Sequence, residues 1–480
     1  MNENKRRWGC LRVIARLGCL PVLLVALLLA GLFVGAFAQQ LFNRYWLYPR
    51  WEALWQRYAE TREPVALQTG WNEYRGVMHA HSHLSHDSEV TFPEIVAAMH
   101  KADCQFIFMT DHFVDGKADY SLGWKGIHEG VLFVRGYEMQ EGFMPWGLPD
   151  DTVFSRSDDP AALARRVREL GGVLAIGHSE APRPWDLPEI DAMEIYNLHT
   201  DMIFSMVNRA GRIELVKDAL LNGRAYPDHV LRNMFDIVSL FMLTQKWDEL
   251  SKHRNITAIA ANDCHQNVGL RGVYTAQNTL LLLDTGHNDP SKKIREFPLN
   301  IASRFLLRLC FGKLEADREL FRVDLDPYER TSRFVNTHLL AKELSEPALI
   351  DAVRSGRAFI AFNMIASAEG FAYIAESNDT AATMGESILF APGMKLWAES
   401  PLPCQFSLVR NGRYIVTHEG RAFEYELDQP GKYRIEAALP MPMEITFSGS
   451  GASTHYAPWV ITNYIEVLAP QHEPEEASQE

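Results

Sequence analysis

The chain has 480 residues, 47% hydrophobic and 22% charged, a balance that supplies a large core and excludes global disorder. This length exceeds one ordinary domain, so two domains behind an N-terminal segment are expected. A formal net charge of −14 excludes general nucleic-acid binding, because affinity for a phosphate chain comes from clustered Lys and Arg.

At the N-terminus, Lys5, Arg6, Arg7, Arg12 and Arg16 precede an uncharged stretch from Leu17 to Ala38. In helix that stretch spans about 30 Å, the thickness of a bilayer hydrocarbon core, and the basic flank places the N-terminus in the cytoplasm. Residues 1–40 therefore read as a transmembrane anchor with the rest of the chain periplasmic or extracellular. Secretion after cleavage at Ala36-Phe37-Ala38 is the alternative. Residues 41–73, rich in aromatics such as Tyr45, Trp46 and Trp51, read as a juxtamembrane helical linker or as a surface helix packed on the region that follows.

From Tyr74 the texture changes. The apolar runs Phe106–Met109, Val131–Val134 and Val173–Ile176 have the length of buried strands, and helical stretches at Pro93–Lys101 and Pro160–Leu170 lie between them. Such alternation predicts a mainly parallel sheet, open or closed into a barrel, over residues 74–357. Residues 200–250 form a helical insertion, with Met202–Asn222 and Leu231–Leu250 as its helices. From Asn288 to Asp324, Lys292, Lys293, Arg295, Arg304 and Arg308 stand beside apolar residues; a surface helix of the barrel is expected there, with a membrane-surface contact as the alternative.

After Arg357 short β-like segments with turns (Phe406–Val409, Asn411-Gly412, Tyr433–Ala437, Glu444–Phe447) predict a β-sandwich over residues 358–470. The acidic tail Gln471–Glu480 reads as disordered. Cys10, Cys19, Cys104, Cys264, Cys310 and Cys404 show no CxxC and no paired spacing, so neither a zinc ribbon nor a disulfide scaffold is indicated.

The chemistry-bearing residues follow the strand-like runs. His79 and His81, in the tract Val77-Met-His-Ala-His-Ser-His-Leu-Ser-His-Asp87, would point the same way from a strand and share one metal at its C-terminal end. Thr110-Asp111-His112 follows the Phe106 run, Gly136-Tyr137-Glu138 the Val131 run, Gly177-His178 the Val173 run, and Asp263-Cys264-His265 the run from Ile256. Loops at the C-terminal ends of barrel strands form the active face, so five such motifs would converge on one mouth. Taken singly, Asp111 also reads as a helix cap, His178 as a core histidine and Glu138 as a surface carboxylate, but these readings would have to hold independently each time.

In this order, His-x-His, Thr-Asp-His, Gly-x-Glu, Gly-His and Asp-x-His, the chain resembles the PHP (polymerase and histidinol phosphatase) superfamily of metal-dependent phosphoesterases. Within it, the chain is similar to the exported branch that includes carbaryl-hydrolase-like proteins, which Asp191-Ala-Met-Glu194-Ile-Tyr-Asn197 and Pro458-Trp459-Val-Ile-Thr-Asn463 also fit. The resemblance covers residues 74–280 and, more loosely, the C-terminal region. It implies a distorted (β/α)7 barrel of PHP type, an α/β fold. It also implies that His79, His81, Glu138 and Asp263 hold one metal, that Glu138 bridges to a second bound by His178, and that His112, His265 and Asp87 or His86 hold a third, Asp87 being favoured. Members of the superfamily usually carry another metal-binding His shortly after the Gly-x-Glu glutamate. None occurs here between Glu138 and His178, which leaves Glu141 or Asp151 as substitutes.

The expected cofactors are divalent Mn, Fe or Zn ions in two or three sites. The expected reaction is hydrolysis of a small-molecule phosphoester by metal-activated hydroxide, with His178 or His265 protonating the leaving group. Hydrolysis of a carbamate, amide or ester at the same site is the rival, and a non-catalytic envelope-binding module the alternative of another class. Arg135, Arg183 and Arg271 lie near the motifs as phosphate clamps or as surface ion pairs. No Gly-x-Ser-x-Gly elbow is present, Gly449-Ser450-Gly451 reading as a turn, and no Gly-rich phosphate loop is found. The expected partners are the ester substrate and the membrane through the N-terminal helix; the sequence specifies no oligomeric state.

Overall fold

The computed structural model describes residues 24, 25, 27, 28, 30–207, 209–286, 293–377, 380–441 and 456–470. The first two thirds of the apolar N-terminal segment lie mainly outside these residues, and among the described residues no helix is long and apolar enough to cross a membrane. A helical turn at Ala38–Phe42 leads through a π-helical turn at Asn43–Leu47 into helix α1 (Tyr48–Glu60). This stretch docks on the helical insertion: Gln40 donates to Glu214 at 2.7 Å, Asn222 donates to the Gln40 carbonyl at 3.0 Å, and the Tyr48 hydroxyl meets Asp218. The aromatic linker is therefore a packed helix, with Tyr48 and Trp51 buried.

Seven strands follow: β1 (Asn72–Ala80), β2 (Phe106–Phe108), β3 (Val131–Val134), β4 (Phe143–Trp146), β5 (Val173–Ile176), β6 (Ile190–Asn197) and β7 (Thr257–Cys264). They pair in the order β3-β2-β1-β7-β6-β5, all parallel, and β4 adds antiparallel to β5. A bridge between Gly136, just past β3, and Trp146 of β4 joins the two ends of the row. Alternation along β1 sends Met78 into a buried cluster with Phe108, Val134, Trp146, Ala175, Ala192 and Ile259, one side chain from each strand. Val77 points the other way, onto Ile95, Val96 and Met99 of helix α2 (Phe92–Lys101). That helix starts where the sequence dictates, at a capping box between Thr91 and Glu94 with Pro93 in its first turn. Helix α3 (Pro160–Glu169) begins at Asp159, whose carboxylate accepts from the Ala162 N–H.

The insertion consists of four helices where two were expected: α4 (Leu198–Val207), α5 (Arg209–Asn222), α6 (Pro227–Arg232) and α7 (Ile237–Ser251). Pro227 opens α6, and Asp236 caps α7 by accepting from the Val238 N–H at 2.9 Å, so local backbone chemistry divides a run of uniform helical periodicity. Residues 269–324 form a separate antiparallel sheet of β8 (Gly269–Tyr274), β9 (Thr279–Leu283), β10 (Arg295–Pro298) and β11 (Arg318–Asp324), with helix α8 (Ile301–Phe311) between the last two strands. No residue of α8 is buried, so the expected surface helix does not lay its apolar face on the strands.

Helix α9 (Tyr328–Phe334), strand β12 (Asn336–Ala341), helix α10 (Glu346–Ser355) and strand β13 (Ala358–Ala361) come next. Leu349, Ile350 and Val353 of α10 join the cluster around Met78. The rest is β: β14 (Ala372–Ser377), β15 (Lys395–Arg410), β16 (Arg413–Glu426), β17 (Gly431–Pro440) and β18 (Tyr456–Thr462) are its longer strands. Strand β12 pairs with β1, β13 with β12 and β18, and one network of 18 strands runs through both halves of a mixed α/β fold. The hairpin of β15 and β16 turns at Asn411 and Gly412, both left-handed (φ 50° and 76°), as such tight turns require. Glu444–Phe447, Gly449-Ser450-Gly451 and the tail Gln471–Glu480 lie outside the described residues, as do Cys10 and Cys19. Cys104, Cys264 and Cys404 are buried free thiols and Cys310 an exposed one.

Candidate metal centre

The strand ends deliver the predicted residues to one place. His79 and His81 leave β1, His112 follows β2, Glu138 follows β3, His178 follows β5, Asp263 and His265 close β7, and Asp87 enters from the loop after β1. His79 Nε2 lies 3.1 Å from His81 Nε2, and Asp263 Oδ1 lies 3.2 Å from each. Glu138 Oε2 is 3.4 Å from His79 Nε2 and 3.8 Å from His81 Nε2. Strand alternation is not what unites the two histidines: β1 ends at Ala80, and its register with β7 slips between Met78 and Ala80, where His79 adopts φ 73°.

Three members of the cluster, His79, His178 and Asp263, have positive φ (73°, 49° and 51°). A non-glycine residue in that region costs about 1–3 kcal/mol and persists only where its surroundings over-determine it. The surroundings here are explicit. Glu194 Oε1 meets His79 Nδ1 at 2.6 Å, Glu194 Oε2 accepts the His178 N–H at 2.8 Å, and Asn197 Nδ2 contacts both Glu194 Oε2 (3.3 Å) and Asp263 Oδ2 (3.4 Å).

Further partners aim the imidazoles. His81 Nδ1 meets the Ser85 hydroxyl at 3.1 Å, and that hydroxyl donates to Asp111 at 3.1 Å. Asp111 also accepts from the Ser82 N–H at 2.6 Å, so it orders the loop between His81 and Asp87; it caps no helix. His265 Nδ1 faces the Asp263 carbonyl at 2.9 Å and its Nε2 faces Asp87 Oδ2 at 3.3 Å. With Nδ1–H held by Glu194 or Ser85, the Nε2 lone pairs of His79 and His81 converge on the cluster, the arrangement a metal ligand needs. Burial, reinforced by the neighbouring His265, holds His81 down to about 3, which keeps it neutral.

The donor set fits a divalent ion. A tetrahedral ion with N and O ligands at about 2.1 Å has ligand–ligand edges of about 3.4 Å; the two imidazole nitrogens of His79 and His81 lie 3.1 Å apart and 3.2–3.8 Å from the oxygens of Glu138 and Asp263. Asp263 Oδ1 and Asp87 Oδ1 are buried and accept no hydrogen bond. For Asp263 Oδ1, 3.2 Å from Nε2 of both His79 and His81, this is the signature of a cation's place. Further groups of ligand atoms are His81, Asp87, His112 and His265, and His79, His178 and Asp263.

Asp87 stands 3.3 Å from both His112 Nε2 and His265 Nε2, whereas His86 is 70% exposed and belongs to no such group among the described residues. Glu141 and Asp151 are exposed and lie outside these groups among the described residues. Arg135 donates to the carbonyls of Tyr120 and Gly123, Arg183 to those of Gly177 and His178, and Arg271 to that of Asp284; all three hold backbone in place. Cys264 turns away to Thr331 at 3.1 Å, its thiol pushed up to about 12 by burial.

Sequence reasoning named Glu194 only within a family motif, with no role at the site, and passed over His199. His199 Nδ1 lies 3.3 Å from Asp263 Oδ2, with Nε2 on Asn267 Oδ1 at 3.1 Å. Glu194 did carry a signal: it is an acid inside β6, six of whose eight residues are buried in a row.

No family model and no curated protein matches the sequence. Among solved structures, the chain is similar to a two-domain protein from Bacteroides vulgatus described as containing a predicted PHP-like metal-dependent phosphoesterase. The two share 13% identity and a TM-score of 0.33, over 78% of this chain and 94% of that one. The chemistry rests on the side chains.

Proposed function

We propose that this chain is a metal-dependent phosphoesterase of the PHP superfamily, with at least two adjacent divalent ions. The observation that supports it is that Glu138 and Asp263 each offer their two oxygens to different histidines. Glu138 Oε1 faces His178 (3.3 Å) while Oε2 faces His79 and His112 (3.4 and 3.6 Å); Asp263 Oδ1 faces His79 and His81 (3.2 Å each) while Oδ2 faces His178 and His199 (3.5 and 3.3 Å). Carboxylates placed this way would hold neighbouring ions, and a close ion pair would suit the attacking and leaving oxygens of a phosphoryl displacement.

His79, His81, Glu138 and Asp263 would hold the first ion, His178 with Glu138 and Asp263 the second, and Asp87, His112 and His265 a third. Ions of the Mn, Fe or Zn type bound there supply Lewis acidity and lower the pKa of water toward about 7. The open side of the cluster is formed by His112, Asp87 and His178, at 24%, 22% and 26% exposure, so substrate enters there. Of the two histidines considered as proton carriers, His178 is 26% exposed and His265 5%; both ring nitrogens are engaged in each, so His178 could carry a proton only where it does not hold the second ion.

The ring of pairings closed by Gly136 and Trp146 supports the distorted (β/α)7 barrel. The uncharged stretch after the basic N-terminus supports a membrane anchor with the barrel outside the cytoplasm. The motifs shared with the carbaryl-hydrolase-like branch have structural roles: Glu194 pins His79 and His178, and Asn463 ties Ala258 of β7 to Ala358 of β13. They give no reason to prefer carbamate chemistry.

Metal content by mass spectrometry on the purified full chain, with turnover of p-nitrophenyl phosphate and of a naphthyl carbamate by wild type and His79→Ala, tests this reading. Two or more metal equivalents and phosphoester turnover lost in the variant are expected. Carbamate turnover alone would reassign the substrate. A protein inert and metal-free after incubation with Mn, Fe or Zn would leave a binding module.

A further inference from the structure

Helix α8 is turned inside out relative to a surface helix of a soluble protein. At 3.6 residues per turn, Ile301, Phe305, Leu306, Leu309 and Cys310 fall on one face. That face meets solvent: Ile301 is 80% exposed, Phe305 69%, Leu306 58% and Leu309 73%. The other side carries the inward contacts, with the Phe311 ring 5.9 Å from that of Phe321 on β11 and Arg304 donating to Asn278 at 3.2 Å. Contiguous exposure of large apolar side chains marks an interaction surface.

The charge around it selects the partner. Residues 292–313 carry six basic side chains, Lys292, Lys293, Arg295, Arg304, Arg308 and Lys313, against the one acid Glu296, in a chain of net charge −14. Arg308 borders the apolar face and is exposed, while Arg304, one turn before it, lies on the inward side; neither pairs with a carboxylate among the described residues. An apolar face edged by arginine is the composition of a helix lying in a lipid interface, where the stem follows the apolar surface and the guanidinium group reaches phosphate. A symmetric pairing of two α8 helices would instead bring the two Arg308 side chains together. The apolar N-terminal stretch points to the same partner, since its described side chains Leu27, Leu28, Leu32 and Phe33 are also exposed.

We propose that α8 is a membrane-docking helix that lies in the headgroup layer of an anionic bilayer, its apolar face at the acyl-chain boundary and Arg308 on a lipid phosphate. The proposal fails separately from the phosphoesterase reading.

The test reconstitutes the full chain in vesicles of phosphatidylcholine and phosphatidylglycerol doped with a photoreactive lipid, and maps the adducts by mass spectrometry. Adducts are expected within residues 301–311 as well as in the N-terminal stretch. In the 301–311 segment they should fall about fivefold in Arg308→Gln, and disappear in the double variant Phe305→Asp, Leu309→Asp. The replaced apolar side chains are exposed, so unchanged metal content and thermal unfolding verify that the fold is kept. Adducts confined to the N-terminal stretch would overturn the proposal, as would equal labelling in vesicles of phosphatidylcholine alone. Chain-to-chain products through α8 would overturn it in favour of a second copy.

Discussion

Glu194 holds His79 and His178 at the same time: its Oε1 lies 2.6 Å from His79 Nδ1, and its Oε2 accepts the His178 N–H at 2.8 Å. One buried carboxylate on β6 thereby fixes the ring orientation of one candidate ligand and the left-handed backbone of another.

In Glu194→Gln, the amide can keep the contact with His79 only by turning its NH2 group toward the His178 N–H, donor against donor. Metal affinity is expected to fall about 10–100-fold, the usual effect of removing such a supporting group. Titration with a metal indicator reads the affinity and circular dichroism verifies the fold; unchanged affinity would remove Glu194 from the centre.

Asp87 and His86 separate cleanly. Asp87 stands between His112 and His265, and His86 is exposed. Asp87→Asn is expected to lose one metal equivalent, whereas His86→Ala keeps the wild-type content. The reverse pattern by mass spectrometry would exchange their roles.

Gly136 is required by packing. A Cβ there would lie 2.2 Å from Trp146 Cδ1 and 2.6 Å from the Met109 carbonyl oxygen, at the bridge that joins the row of seven strands. Gly136→Ala is expected to destabilise the protein by about 1–3 kcal/mol and, by shifting Glu138 two residues on, to weaken metal binding as well. Denaturant unfolding and metal content measured on the same preparation test both effects.

Arg434 of β17 is 1% exposed and forms a two-pronged ion pair with Asp248 of α7, both contacts at 2.9 Å. Arg434→Met leaves a buried carboxylate with only the Tyr464 hydroxyl, and should cost about 3–5 kcal/mol. Removing both charges, in Arg434→Met with Asp248→Leu, should recover most of that loss. If the double variant is no more stable than the single, the cost comes from packing.

The sequence by itself determined the strand-ending motifs, because a buried parallel strand must be a short apolar run and the first polar residue after it is set at the strand's C-terminal end. His79, His81, His112, Glu138, His178, Asp263 and His265 were legible for that reason, as were the Asn411-Gly412 turn and the start of α2. What only the tertiary structure decided are relations between segments distant in the chain. Glu194 and His79 are 115 residues apart in sequence and 2.6 Å apart in space, which no local pattern encodes. That Asp87 and not His86 stands beside His112 and His265, that Glu141 and Asp151 are exposed, and that Arg135, Arg183 and Arg271 donate to backbone carbonyls are likewise matters of distance and burial. Helix α8 shows the limit most directly: periodicity gives it an apolar face, but which way that face points depends on what the rest of the chain leaves to cover it.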